Sequence, residues 1–299
     1  MKTIIELFET SVSKYADNIY LWEKKKGNYE GTTYRQTHDL VFRFGAGLMA
    51  LGLQKGDRVG LLSEGRNAWM VSELGILYAG GANVPLSVKL EAAAELSFRL
   101  AHSGSRMIIV SKWHASKVEE VRKDLPLLEK VIYLDGKDNP GDNDISYDEV
   151  LALGDAFLKT RKADFEERYK SIKPNDLANI SYTSGTTADP KGIMLSHLNY
   201  AANVVQANTL MDITEDWKTL ALLPWDHAFA HTACLYCFMY NGASIAALEQ
   251  GKTPMETLKN IPKNIKEVKP TVMMSVPALA KNFRKSIEAG IRQKGPTAE

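Results

Sequence analysis

The 299-residue chain is 44% apolar and 24% charged, with 37 basic against 36 acidic side chains. That composition is globular, excludes a disordered or low-complexity polymer, and at a formal charge of +1 offers no field for charge-driven nucleic-acid binding. Two cysteines exclude a disulfide scaffold and point to a reducing, cytoplasmic compartment, and the length suits two units of about 150 residues.

In chain order, Ile4, Leu7, Phe8, Val12 and Tyr15 recur at helical spacing, with Glu6 breaking the opening apolar run. The N-terminus therefore reads as an amphipathic docking helix and not as a signal peptide. Lys24-Lys25-Lys26 lies between two β-like runs, Tyr20–Trp22 and Thr32–Tyr34, as the turn of a solvated hairpin. Strands are expected at 58–62, 83–86, 107–110 and 131–134, with helices at 67–79, 91–101 and 115–123 between them. Gly80-Gly81 ends the first of these helices. This βαβ alternation predicts a layered unit with largely parallel strands over about 56–135. A Gly/Asp/Asn-rich surface loop at 135–144 follows, then a charged, helix-forming stretch that ends near Lys173-Pro174. Further strands are expected at 178–182, 219–223, 243–248 and 271–275, a loop at 183–192 and a helix at 196–208. No internal repeat is visible.

Ala228–Leu248 carries no charged side chain over 21 residues, a length that could cross a bilayer. His231 and the turn dipeptide Asn241-Gly242 instead divide it into a buried helix at about 228–240 and a buried strand at 243–248.

The chemistry concentrates in Ile180–Gly192. Thr183, Ser184, Thr186 and Thr187 contribute four hydroxyls around Gly185, and Lys191 follows four residues after the last of them. Small residues let backbone N–H groups approach an anion, hydroxyls add donors, and the lysine brings a mobile positive charge to phosphate oxygens. Each hydrogen bond to a charged group contributes about 1.5–3 kcal/mol, so several together hold a polyphosphate. A flexible connector is the alternative for such a composition. A Walker loop shares the Gly185-to-Lys191 spacing, but Pro190 stands at its second glycine and Gly192 at its magnesium-binding Ser/Thr.

Thr183 through Gly192 resembles the phosphate loop of the adenylate-forming superfamily, T-S-G-T-T-G-x-P-K-G, matching nine of its ten places, the free one included. The departure is Ala188 at the last loop glycine, where a Cβ restricts positive φ. Thr33-Tyr34 and Lys55–Val59 are similar to the family's opening T-Y-x-E-L and G-D-R-V segments. Asn67–Trp69 through Gly80–Leu86 resembles its helix–glycine–V-P-L unit as found in long-chain fatty-acid–CoA ligases. Leu223–His227 resembles its L-P-x-x-H segment, and Pro270–Pro277 a later strand–helix landmark.

The resemblance implies layered α/β/α subdomains with mainly parallel sheets. The first would span about 56–200 and the second about 1–55 with 205–299, all within a partial N-terminal AMP-binding domain. It implies ATP-dependent activation of a long-chain fatty acid to acyl-adenylate and then acyl-CoA, with ATP, Mg²⁺ and coenzyme A taking part. Ser184, Gly185, Thr186, Thr187 and Lys191 would hold the β- and γ-phosphates, Thr183 would also help ligate Mg²⁺, and His227 would line the acyl site beside the adenylate. The family's later aromatic-Gly-x-Thr-Glu motif, ribose-binding Asp and C-terminal catalytic-lysine domain are not found before Glu299. The expectation is thus a catalytically incomplete polypeptide that does not turn over alone. A lipid substrate makes peripheral membrane contact reasonable, although no basic amphipathic helix demands it.

Two other classes stay open: adenylation of an aryl or amino acid, and a non-catalytic nucleotide-binding fragment. His227 and His231 are four apart, but a zincin would need Glu at position 228, which is Ala228. Cys234 and Cys237 have half of a metal-site spacing, without a partner pair, and read as buried packing residues. No G-x-S-x-G elbow is present.

Overall fold

A computed structural model describes residues 2–90, 93–138, 140–183 and 190–293. Its mixed α/β architecture, with mainly parallel sheets, agrees with the sequence expectation. The strands of the seven-stranded sheet are β3 (Arg58–Leu62), β4 (Ala82–Pro85), β5 (Ser105–Val110), β6 (Lys130–Tyr133), β7 (Asp144–Ser146), β8 (Leu177–Thr183) and β9 (Lys191–Ser196). Their order is β7-β6-β5-β3-β4-β8-β9, parallel throughout except for the β8–β9 hairpin. A four-stranded sheet, β10-β11-β1-β2, joins β10 (Lys218–Ala221) and β11 (Ser244–Ala247) to the N-terminal hairpin β1 (Ile19–Lys25) and β2 (Asn28–Thr33). Here too only the hairpin pair is antiparallel.

Helix starts are set by short polar side chains. Thr3 with Glu6 opens α1 (Ile4–Tyr15), Thr33 with Gln36 opens α2 (Tyr34–Ala50), and Ser146 with Glu149 opens α6 (Tyr147–Lys170). Each is a reciprocal capping box that satisfies two otherwise orphaned N–H groups. Ser196 with Asn199 does the same for α7 (His197–Ala207).

α3 (Asn67–Tyr78) has almost no polar face, and Trp69 through Tyr78 are all buried. A helix apolar all round belongs in an interior. Accordingly α3 packs on β1 of one sheet, on β3 and β4 of the other, and on α1, α2 and α6. The main core runs continuously through residues of both sheets, from Leu21 and Ile245 on one side to Val59 and Ile109 on the other.

Several elements differ from the sequence reading. Lys191 and Gly192 are strand, not loop, because they pair with Thr183 and Tyr182 across β8. Tyr34 begins a helix and does not extend the hairpin, since Thr33 is its cap. Asp144–Ser146 forms a short edge strand that begins at the last residue of the expected loop. Of 271–275, only Val272 makes a bridge, to Thr219. The segment expected as one helix at 228–240 has three parts: α8 (Ala228–Ala230), a π-helical stretch His231–Tyr236, and α9 (Cys237–Tyr240). No helix among the described residues is long and apolar enough to cross a membrane.

Candidate active site

Ligands of open α/β sheets collect beyond the carboxyl ends of the parallel strands. Two sequence-predicted segments start from such strand ends. The Thr/Ser-rich loop leaves the end of β8 at Thr183, and the turn ending in His227 follows β10 in the other sheet.

Thr183 and Lys191 are direct partners in the antiparallel register of β8 and β9. Facing residues of such a pair project to one side of the hairpin, so the hydroxyl and the ammonium share a face. Both are exposed. Tyr182 anchors the same strand end: its hydroxyl donates to the Arg99 carbonyl at 3.2 Å and lies 2.8 Å from His102 Nδ1 on α4 (Ala93–Ser103). The predicted phosphate ligands Ser184, Gly185, Thr186 and Thr187, and Ala188, lie outside the described residues.

His227 is exposed and stands at the N-cap of α8, where its Nδ1 accepts the Phe229 N–H at 3.2 Å. A ring accepting at Nδ1 is, when neutral, the tautomer that carries its proton on Nε2. His227 therefore offers Nε2–H as a donor on the exposed side. Trp225 fixes the turn that carries it. The indole is 4% exposed, stands edge-on to Trp69 at 5.6 Å between ring centroids, and lies against Gly65. A Cβ on Gly65 would fall 2.5 Å from Trp225 Nε1, so only glycine fits there. Burial raises the Asp226 carboxyl above its usual range, against smaller opposing pulls from His231 and His227.

Sequence reasoning assigned no role to Glu73, a carboxylate fully inside the core on α3. Its Oε1 accepts the Tyr236 hydroxyl at 2.5 Å, and its Oε2 accepts the Asn83 amide and lies 3.4 Å from His231 Nε2. A single acidic residue within an otherwise apolar helix was the available signal. His231, read from sequence as a core or pocket residue, is fully buried, with the Trp69, Tyr200 and Tyr236 rings around it. Burial, and after it the Glu73 charge, pushes the Tyr200 and Tyr236 phenols well above their ordinary range. Cys234 and Cys237 are buried free thiols, as expected, and burial pushes both up to about 12. Among the described residues no group of three acidic, histidine or cysteine side chains could hold a metal ion.

The fold is that of the N-terminal domain of adenylate-forming ligases. The N-terminal domain of FACL13 from Mycobacterium tuberculosis superimposes with a TM-score of 0.75 at 26% identity, over 95% of this chain and 65% of that one. The anthranilate CoA ligase AuaEII, at 22% identity, shares the fold with a TM-score of 0.75 over 91% of this chain and 49% of its own. The AMP-binding enzyme family model matches residues 8–296, and the chain belongs to that family. Among curated relatives, a long-chain-fatty-acid–CoA ligase of Xenopus laevis, ACSBG2, is 28% identical over 297 residues, which is 96% of this chain. The chain spans 39% of that relative's length.

Proposed function

We propose that the chain supplies the nucleotide grip and part of the acyl site of an enzyme that activates a long-chain fatty acid with ATP, yielding acyl-adenylate and then acyl-CoA. The observation that carries this reading is the β8–β9 register, which sets Thr183 opposite Lys191 at the end of a strand, with the hydroxyl-rich residues between them. The reaction is a displacement at phosphorus. A carboxylate oxygen of the acid attacks the α-phosphate as the bond to pyrophosphate breaks; the coenzyme A thiol then attacks the acyl carbon and AMP leaves. Positioning and charge neutralisation suffice for both steps, without a protein nucleophile.

Lys191 holds the β- and γ-phosphate oxygens, with the donors of Ser184, Gly185, Thr186 and Thr187 completing the cradle. Mg²⁺ supplies further neutralisation when bound, and Thr183 is the residue assigned to hold it beside the phosphate oxygens; magnesium sites commonly draw on substrate phosphates in this way. His227 presents its Nε2–H to the acyl carboxyl. The long-chain acid is favoured by the likeness to the Xenopus ligase. Site function at the cytoplasm, and peripheral contact with a membrane that holds the lipid, belong to the same reading.

Calorimetric titration with a non-hydrolysable ATP analogue tests the grip. Binding is expected, and Lys191→Ala weakens it by about 1.5–3 kcal/mol, the worth of a charge-assisted contact. Unchanged affinity removes Lys191 from the site. Melting-temperature shifts with a long-chain acyl-adenylate analogue and an aryl one then separate the acid classes: a larger shift with the aryl compound overturns the fatty-acid assignment.

A further inference from the structure

His227 is held from behind as well as at its ring. The His227 carbonyl accepts the backbone N–H of His231 at 3.2 Å, and His231 Nδ1 lies 3.3 Å from the same oxygen. The opposite ring nitrogen of His231 faces Glu73 Oε2 at 3.4 Å, and both side chains are buried. A carbonyl oxygen only accepts, so the Nδ1 contact places a proton on Nδ1; the Nε2 contact then needs one further proton shared between nitrogen and carboxyl oxygen. The imidazole thus bridges α3 and the turn that presents His227.

The π-helical stretch accounts for how one carboxylate serves two residues five positions apart. In an α-helix five residues turn through about 500°, which would leave the side chains of 231 and 236 about 140° apart. A π-turn, with i→i+5 hydrogen bonds and more residues per turn, brings these two positions closer in angle, and here both His231 and Tyr236 reach Glu73. Such turns are uncommon and concentrate at functional sites. Trp69 closes the arrangement, touching His231 on one side and Trp225 on the other.

We propose that Glu73 and His231 are positioning residues, a buried strut that fixes the turn carrying His227 so that its ring keeps Nε2–H directed outward to the ligand. This rests on the role assigned to His227 above.

The test is side-chain ¹⁵N–¹H NMR of the full chain labelled at histidine, with His227→Gln identifying the His227 signals. Wild type is expected to show His227 as the Nε2–H tautomer. H231Q, which keeps a donor near Glu73 but has no atom at the Nδ1 position, is expected to give a tautomer mixture. E73Q, whose amide donates to His231 Nε2, is expected to keep the single tautomer, and E73L to lose it. Affinity for a long-chain acyl-adenylate analogue should fall about tenfold in H231Q, the effect of one lost hydrogen bond. An unchanged His227 signature in H231Q, or equal loss in E73Q and H231Q, overturns the strut. If H231Q does not fold, E73L against E73Q decides the same question: a tautomer kept in both overturns the strut. Failure of the wild type to bind the analogue overturns the assigned function, while the tautomer measurement still judges the strut.

Discussion

His197, the first residue of α7, is 1% exposed, and burial lowers its pKa to about 4, outweighing the opposing charges of Asp176 and Glu73. The unfolded chain takes up this proton near pH 6.5 and the folded one only near pH 4. The contribution to stability is therefore complete above about pH 6.5 and is lost as the pH falls towards 4, reaching about 3 kcal/mol from this group. Urea unfolding of His197→Phe across that range should show a flatter acid limb than wild type, and parallel limbs would rule out the histidine. Lys191 was legible at this scale because its signal is local: hydroxyls, a glycine and a lysine within ten positions. Glu73 was not. Its partner His231 lies 158 positions away, and a lone carboxylate in an apolar run carries no mark of what it meets after folding.

The contact between α2 and α6 depends on two missing side chains. A Cβ on Gly154 would lie 1.8 Å from the Arg43 carbonyl oxygen, and one on Gly47 would lie 2.1 Å from that of Val150. The two backbones therefore touch, and Arg43 clamps Asp155 across the seam with a pair of 2.7 Å hydrogen bonds. Gly154→Ala forces the helices apart and is expected to cost about 1–3 kcal/mol or more in chemical denaturation; an unaltered midpoint would mean that α6 shifts freely. The parallel strands were plain in the sequence pattern, since Val59–Leu62, Met107–Val110 and Val131–Tyr133 are buried on both faces and read as continuous apolar runs. β9 escaped it. Ile193 and Met194 of this edge strand are both exposed, so the alternation that would announce a strand is missing. The π-turn escaped it as well, because its spacing answers to Glu73 and not to local helix preference.

Across the described residues the main core is shared by both sheets, with smaller clusters packed on one sheet each. Phe8 of α1, Phe44 of α2, Trp69 of α3, Ile109 of β5 and Ile245 of β11 belong to one connected cluster. Such continuity predicts that both sheets unfold together. Fluorescence of the five tryptophans, far-ultraviolet circular dichroism and near-ultraviolet circular dichroism should give superimposable urea transitions. Two resolved transitions would mean that the sheets are energetically independent despite the shared core. The layered α/β class was legible because strand and helix periods alternate along the chain, whereas the insertion of the N-terminal hairpin beside β11 depends on pairing across more than 200 residues.

The placement of the only two thiols has a practical consequence. Cys234 lies in the π-turn and Cys237 directly after it, both sealed from solvent and both poor nucleophiles while folded. An alkylating reagent can reach them only when this segment opens. The rate of its incorporation is then a native clock, without any introduced label, for how often the wall behind His227 comes loose, and a ligand that stiffens that wall should slow it.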